Sequence, residues 1–309
     1  MIVEIKVEMT VEMKIVVVII ISILSLISCG EQKTHRSYRP GQSDNVIFGE
    51  DTRQDLDKLS PEALASGLLF NRHLLKKLDA GNFSYKKMTL GEAYPLCESE
   101  KFRGQLVLGS CSSVLIGPRL VLTAGHCIRN QNQCADALFT FGHTNQKSRT
   151  GILHSSQIYG CDKIVKREDK PSQGGVDYAI VELDRDVQGV NPVKIASNSH
   201  EEKEGGAAIS YSYPLGLPLK FDAGKILKNE TWSNFIEVAV DTFSGSSGSG
   251  LFNSKGELIG ILSRGSEDFI EDDIRRVQTS GGCILVNRCD GSGVCRTEKF
   301  FKTSLIKNF

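Results

Sequence analysis

Three short patches of this 309-residue chain set reactive side chains beside apolar runs. The first, Leu120-Val121-Leu122-Thr123-Ala124-Gly125-His126-Cys127, ends an apolar run on a histidine. An imidazole titrates near neutrality, so it can take up a proton and return it. The second, Asp177-Tyr178-Ala179-Ile180-Val181-Glu182-Leu183, opens an apolar run with an aspartate, which can orient an imidazole or simply cap a turn. The third, Gly245-Ser246-Ser247-Gly248-Ser249-Gly250, offers three hydroxyls. A serine hydroxyl is a poor nucleophile until a base removes its proton, so a reactive serine needs a partner such as histidine. Taken singly, each patch has an ordinary alternative: an unremarkable histidine, a turn carboxylate, a flexible linker. The linker reading is the weakest, because the glycine-serine run is clamped between two apolar segments rather than two domains. Composition alone does not choose among Ser246, Ser247 and Ser249.

The elements that must position these groups are mostly strands. Gln105–Leu108, Ser113–Ile116, Leu120–Ala124, Ala137–Phe141, Tyr178–Leu183, Phe235–Val240 and Leu258–Leu262 are short, rich in branched or aromatic residues, and bounded by turn formers. Ser60-Pro61-Glu62 reads as an N-cap, a first-turn proline and a first-turn acid ahead of Leu64, Leu68 and Leu69, which predicts a short helix. The mixed apolar and basic spacing over 297–309 predicts a C-terminal helix. Lys and Arg total 37 against 37 Asp and Glu, and this zero net charge argues against a nucleic-acid partner. Hydrophobic residues at 40% supply a sizeable core. Nine cysteines point to an oxidising compartment, and the odd number requires another fate for one sulfur. The histidines at 35, 73, 143, 154 and 200 form no ligand cluster, and the gaps among Cys283, Cys289 and Cys295 are wide for a metal knuckle, so neither metal nor cofactor is implied.

Residues 13–29, MKIVVVIIISILSLISC, have the layout of an export signal, too short to span a bilayer comfortably. Glu4, Glu8 and Glu12 give the preceding residues the wrong charge for the front of such a signal, so translation is expected to start at Met13. Leu26-Ile27-Ser28-Cys29 resembles the bacterial lipobox, which implies acylation of Cys29 and attachment to a membrane through lipid. The polar stretch from Gly30 to Asn45 reads as a tether or propeptide. The organisation expected is therefore 1–29 signal, 30–45 tether and 46–309 folded domain.

Together the patches resemble the chymotrypsin-like serine peptidases. TAGHC at 123–127, DYAIVEL at 177–183, GSSGSG at 245–250 and GILSRG at 260–265 occur in that family's chain order. The resemblance implies an all-β fold of two six-stranded antiparallel barrels with the site in the cleft between them. It implies a catalytic triad of His126, Asp177 and Ser247, with the amides of Gly245 and Ser247 as the oxyanion hole, and a disulfide between Cys111 and Cys127, whose 16-residue spacing brackets the histidine as in the family. Local proximity suggests Cys134 with Cys161. With Cys29 given to lipid, Cys97, Cys283, Cys289 and Cys295 remain to pair among themselves.

Asn45-Val46-Ile47-Phe48-Gly49-Glu50-Asp51, Ile116-Gly117-Pro118 and SGSGLFN at 247–253 resemble more narrowly the bacterial glutamyl endopeptidases, which implies maturation by cleavage after Asn45. Ser246 stands where the trypsin branch has an aspartate, so trypsin-type activation through that ion pair is not expected. Asp241, six positions before Ser247, occupies the place of the trypsin-branch pocket acid and suggests a basic substrate side chain, unless it merely bonds backbone at a strand end. Leu262 replaces the histidine that glutamyl endopeptidases use against acidic side chains, although Thr242 keeps a family-like hydroxyl. Arg264 would cancel Asp241 if the two met. Ser263, Arg264 and Gly265 form the edge that pairs with extended peptide in the family. The function implied is a secreted or lipid-anchored, monomeric serine endopeptidase acting on proteins or peptides. The rival is a surface lipoprotein that keeps the fold as a catalytically silent binding module.

Overall fold

In the computed structural model, residues 42–43, 47–170, 175–269, 282–289, 294–295 and 297–307 are described. The readings of residues 1–29, of lipid at Cys29 and of the Asn45–Val46 junction lie outside them, as does the tether apart from Gln42–Ser43. The folded unit runs from Gly41 to Phe309.

Strands β1 (Ser66–Asn71), β2 (Cys111–Gly117), β3 (Leu120–Thr123), β4 (Ala137–Phe141), β5 (Tyr159–Lys170) and β6 (Val176–Leu183) close an antiparallel barrel in the order β5-β6-β3-β2-β1-β4. Strands β7 (Ala207–Ser212), β8 (Lys220–Lys228), β9 (Phe235–Ala239), β10 (Gly250–Phe252), β11 (Leu258–Arg264) and β12 (Glu298–Lys302) follow as β7-β10-β11-β12-β9-β8. The β7–β8 pairing closes this second ring, and Gln54–Asp55 adds a short outer strand to β8. The fold is the two six-stranded barrels that the resemblance implies.

Period-two alternation explains why two barrels stick together. In β1, Leu69 packs inside the first barrel with Leu115, Val121, Phe139 and Val181. Its neighbours Leu68 and Phe70 join a second cluster with Leu122 and Ile180, which also takes Tyr211, Phe252, Ile261 and Phe301 from the other barrel. The second barrel has its own interior of Ile226, Ile236, Val238, Leu251, Ile259, Leu262 and Phe300. Each strand thus fills its barrel with one face and the seam with the other, each buried side chain contributing roughly 2 kcal/mol of apolar transfer. A fourth cluster gathers Ile47, Leu90, Leu96, Leu215, Phe243, Ile284 and Val286.

Three expectations are corrected. The short helix exists, with Ser60 capping it and Pro61 opening it, but it is only Pro61–Ala65 long, because Leu68 and Leu69 are taken into β1. Gln105–Leu108 is not a strand; Leu106 makes a single bridge to Thr89. The C-terminal helix is instead β12 followed by one 3-10 turn at Thr303–Leu305. Strand β12 lies between β9 and β11, so it satisfies backbone groups on both edges. It also sends adjacent Phe300 and Phe301 to opposite faces, which a helix cannot do.

Candidate active site

His126 sits three residues past β3, and Asp177 is the second residue of β6, whose pairing with β3 (Ala179 opposite Thr123) brings the two loops together. Asp177 Oδ2 lies 2.7 Å from His126 Nδ1 and accepts from Ser263 Oγ at 2.9 Å, while Asp177 Oδ1 accepts from the His126 amide at 2.9 Å. Burial alone would raise the Asp177 carboxyl. The bond from the His126 ring, its charge, and the bonds from Ser263 and the His126 amide outweigh burial and hold it below the usual carboxylate range. An ionised carboxylate only accepts, so Nδ1 carries the proton and Nε2 keeps its lone pair. The ring is about one-third exposed.

The serine loop is laid against the histidine loop. Ser112 of β2 fastens it twice, donating its amide to Ser247 O at 2.8 Å and its hydroxyl to Gly245 O at 2.9 Å. Gly248 has φ +84°, and a Cβ there would meet Ser112 O and Thr123 Oγ1 at 2.3 Å, so the loop can approach β3 only as glycine. The three serines are now distinct. Ser246 is buried and donates to Ser212 Oγ, Ser249 is buried, and Ser247 is the partly exposed one. Its Oγ has no hydrogen-bond partner among the described residues.

The amides of this loop divide the same way. Ser246, Gly248 and Ser249 donate to Phe243 O, Leu262 O and Ser246 O. Among the described residues the amides of Gly245 and Ser247 have no acceptor. Gly245 has φ +92°, and a Cβ there would meet Tyr213 O at 2.8 Å. Two unpaired amides flanking an accessible hydroxyl can receive a developing oxyanion.

The expected specificity residues are placed differently. Asp241 does not form the floor of an open pocket. Its two oxygens accept from the amides of Phe48 and Thr52 at 2.9 and 2.8 Å, so it pins the N-terminal segment, the backbone role that the sequence left open. Arg264 stacks over Phe235, 5.3 Å from the ring centre, and the charged groups acting on Asp241 are Asp51 and Arg53 instead. Thr242 is buried and donates to Glu298 Oε2 at 2.5 Å. Ser263 turns its hydroxyl to Asp177, and Gly265 lies against Glu298. Ser112 and Glu298 escaped the sequence reading; a lone serine and a glutamate 51 residues beyond Ser247 carry no local motif.

Disulfides join Cys111 to Cys127, Cys134 to Cys161 and Cys97 to Cys283, and Cys289 is also disulfide-bonded. Cys111, His126 and Cys127 cluster closely, but the two sulfurs are bonded to each other and leave no thiolate for a metal.

Residues 111–261 match the family model of a trypsin-like peptidase domain. Exfoliative toxin A of Staphylococcus aureus is 30% identical over 160 residues, covering 50% of this chain. The chain spans little more than half, 56%, of that relative's length. Among solved structures, a mutant of human heparin binding protein superposes with a TM-score of 0.51 at 13% identity, over 83% of this chain and 92% of its own. The VesB protease of Vibrio cholerae gives 0.50 at 14% identity, over 85% of this chain and 64% of its own. These two likenesses concern the fold. With residues 111–261 matched by a trypsin-like peptidase domain and the fold made of two six-stranded barrels, the chain is similar to the chymotrypsin-like serine peptidases.

Proposed function

We propose that the chain is an exported serine endopeptidase in which Ser247 is the nucleophile, His126 the base and Asp177 its orienter. One observation carries the reading: the only partly exposed serine among Ser246, Ser247 and Ser249 is flanked by the two unpaired amides and rests on the loop bearing the His126–Asp177 pair. His126 Nε2 takes the Ser247 proton as Oγ attacks the peptide carbonyl. Asp177 keeps Nδ1 protonated and stabilises the imidazolium. The amides of Gly245 and Ser247 hold the oxyanion, each worth about 3 kcal/mol in the transition state. His126 then gives its proton to the leaving amine, and water hydrolyses the acyl-enzyme by the same steps in reverse.

Export is supported by the disulfides, which persist in oxidising compartments. The proposed organisation is a signal ending at Cys29, a tether to Asn45, and an enzyme beginning at Val46 that is released from its lipid by cleavage. Pinning of Phe48 and Thr52 by Asp241 supports a domain that starts close to Val46.

The same barrels occur in a heparin binding protein, so the fold alone does not decide between catalysis and binding. A fluorophosphonate probe decides it. Labelling is expected in the processed protein and is lost in Ser247→Ala, with the intact mass of the labelled species starting at Val46. A disulfide-bonded, processed protein that takes no label is the binding module.

A further inference from the structure

We propose that Glu298 is the group that reads the substrate, and that the site takes a lysine or arginine on the acyl side of the bond cut. This rests on the peptidase reading above and adds to it the substrate class.

Glu298 opens β12, and its carboxyl lies between the two segments that flank the serine loop. On one side it accepts from Thr242, five residues before Ser247, at 2.5 Å. On the other it lies against Gly265, two residues past the Ser263 that holds Asp177; a Cβ on Gly265 would be 2.6 Å from Glu298 Oε2. A peptide extended along the Ser263–Gly265 edge, with its carbonyl at the Gly245 and Ser247 amides, lowers the side chain on the acyl side between these same two segments. At that point only the backbone of Gly265 separates the carboxyl from the edge.

The second observation is that this carboxyl is incomplete. Glu298 is fully buried, yet among the described residues its Oε1 has no hydrogen-bond partner and no Lys, Arg or His forms an ion pair with it. The neighbouring acids differ. Both oxygens of Asp241 are taken by Phe48 and Thr52, and both oxygens of Asp268 by the Ser244 amide at 3.0 and 3.1 Å. Asp241 and Asp268 therefore add negative field, while of these three acids Glu298 is the one whose carboxyl keeps an oxygen without a donor among the described residues. Burial first, and then the charges of Asp268 and Asp241, push the Glu298 carboxyl up to about 8 against the hydrogen bonds from Thr242 and Ser266. An ammonium or guanidinium group supplies both the missing donor and the missing charge. A glutamate or aspartate side chain entering the same place would meet three acids.

The test is kcat/KM on a peptide series that varies only the residue on the acyl side, with Lys, Arg, Leu, Gln and Glu, on wild type, Glu298→Gln and Gly265→Ala. Wild type is expected to favour Lys and Arg over Leu by about a hundredfold or more, and Glu298→Gln to lower that ratio by a similar factor. Gly265→Ala, which sets a methyl group against the carboxyl without removing it, is expected to lower it as well. A wild type that prefers Glu or Leu, or a ratio that survives in both variants, overturns the assignment. Fluorophosphonate labelling of the same wild-type sample separates the two levels: label with the wrong preference rejects the role of Glu298 and leaves the peptidase intact, and no label rejects both.

Discussion

The carboxylates of Asp177 and Glu298 are both buried beside the cleft, and both are touched by a residue of the same β11 edge, yet they are finished to different degrees. Asp177 has its oxygens taken by the His126 ring, the His126 amide and Ser263, and is held low. Glu298 has one oxygen served by Thr242, the other without a partner among the described residues, and is pushed high. A buried acid whose partners are all built in holds another side chain in place. A buried acid lacking one partner costs stability until something supplies it. On the proposed reading, the difference separates a group that orients the machinery from one that waits for substrate.

The largest expected effect breaks the finished side. Asp177→Asn replaces a pure acceptor by an amide that also donates, so Nδ1 of His126 no longer has to carry the proton and Nε2 loses its fixed role as base. A fall of about 10⁴-fold in kcat/KM is expected, on the scale at which this member of the triad acts in serine peptidases. Near-ultraviolet circular dichroism should be unchanged. A loss below about tenfold contradicts the orienting role.

The next prediction addresses the unfinished side through stability. The folded Glu298 carboxyl titrates at about 8, above the ordinary 4.5, so between those values the folded chain keeps a proton that the unfolded chain has released. Stability contributed by this group therefore falls as pH rises across that window, by at most about 1.4 kcal/mol per pH unit. Glu298→Gln removes the slope. Urea midpoints measured at pH 5 and pH 8 should show the variant gaining on wild type as pH rises; parallel curves contradict an uncompensated carboxyl.

The same contrast explains what could be read from the sequence. The region of the proposed triad is legible because β-pairing needs only short runs to bring TAGHC and DYAIVEL together, and each run carries its reactive residue at an end. The glycine requirement at 245 and 248 is likewise local, set by positive φ and close backbone approach. Strands are legible where apolar residues are dense. β5 carries no such signal, because its last nine residues, Asp162–Lys170, are mostly charged and none is buried, and they owe their extended form to pairing with β6. β12 reads as helix from sequence because its two lysines and adjacent phenylalanines suit either period until the place between β9 and β11 decides. The choice between the two roles of Asp241 is hidden for a related reason. Its position relative to Ser247 is local, but its partners Phe48 and Thr52 lie almost 200 residues away.

The smallest effect joins the two sides. Ser263 is buried on β11, donates to Asp177 Oδ2 and lies two residues before the Gly265 that faces Glu298. Ser263→Ala removes one hydrogen bond to a charged acceptor while leaving the two from His126, so the loss is about 1 kcal/mol, or roughly fivefold in kcat/KM. Ser263→Thr keeps the donor and should recover most of it. Measured on Lys and Leu peptides, the loss should be equal for both, because the hydroxyl acts on the base and not on the side chain being read. A loss confined to Lys peptides would mean that β11 transmits a change at Asp177 to the Gly265 wall. The orienting acid and the reading acid would then be one coupled unit rather than two groups finished to different degrees.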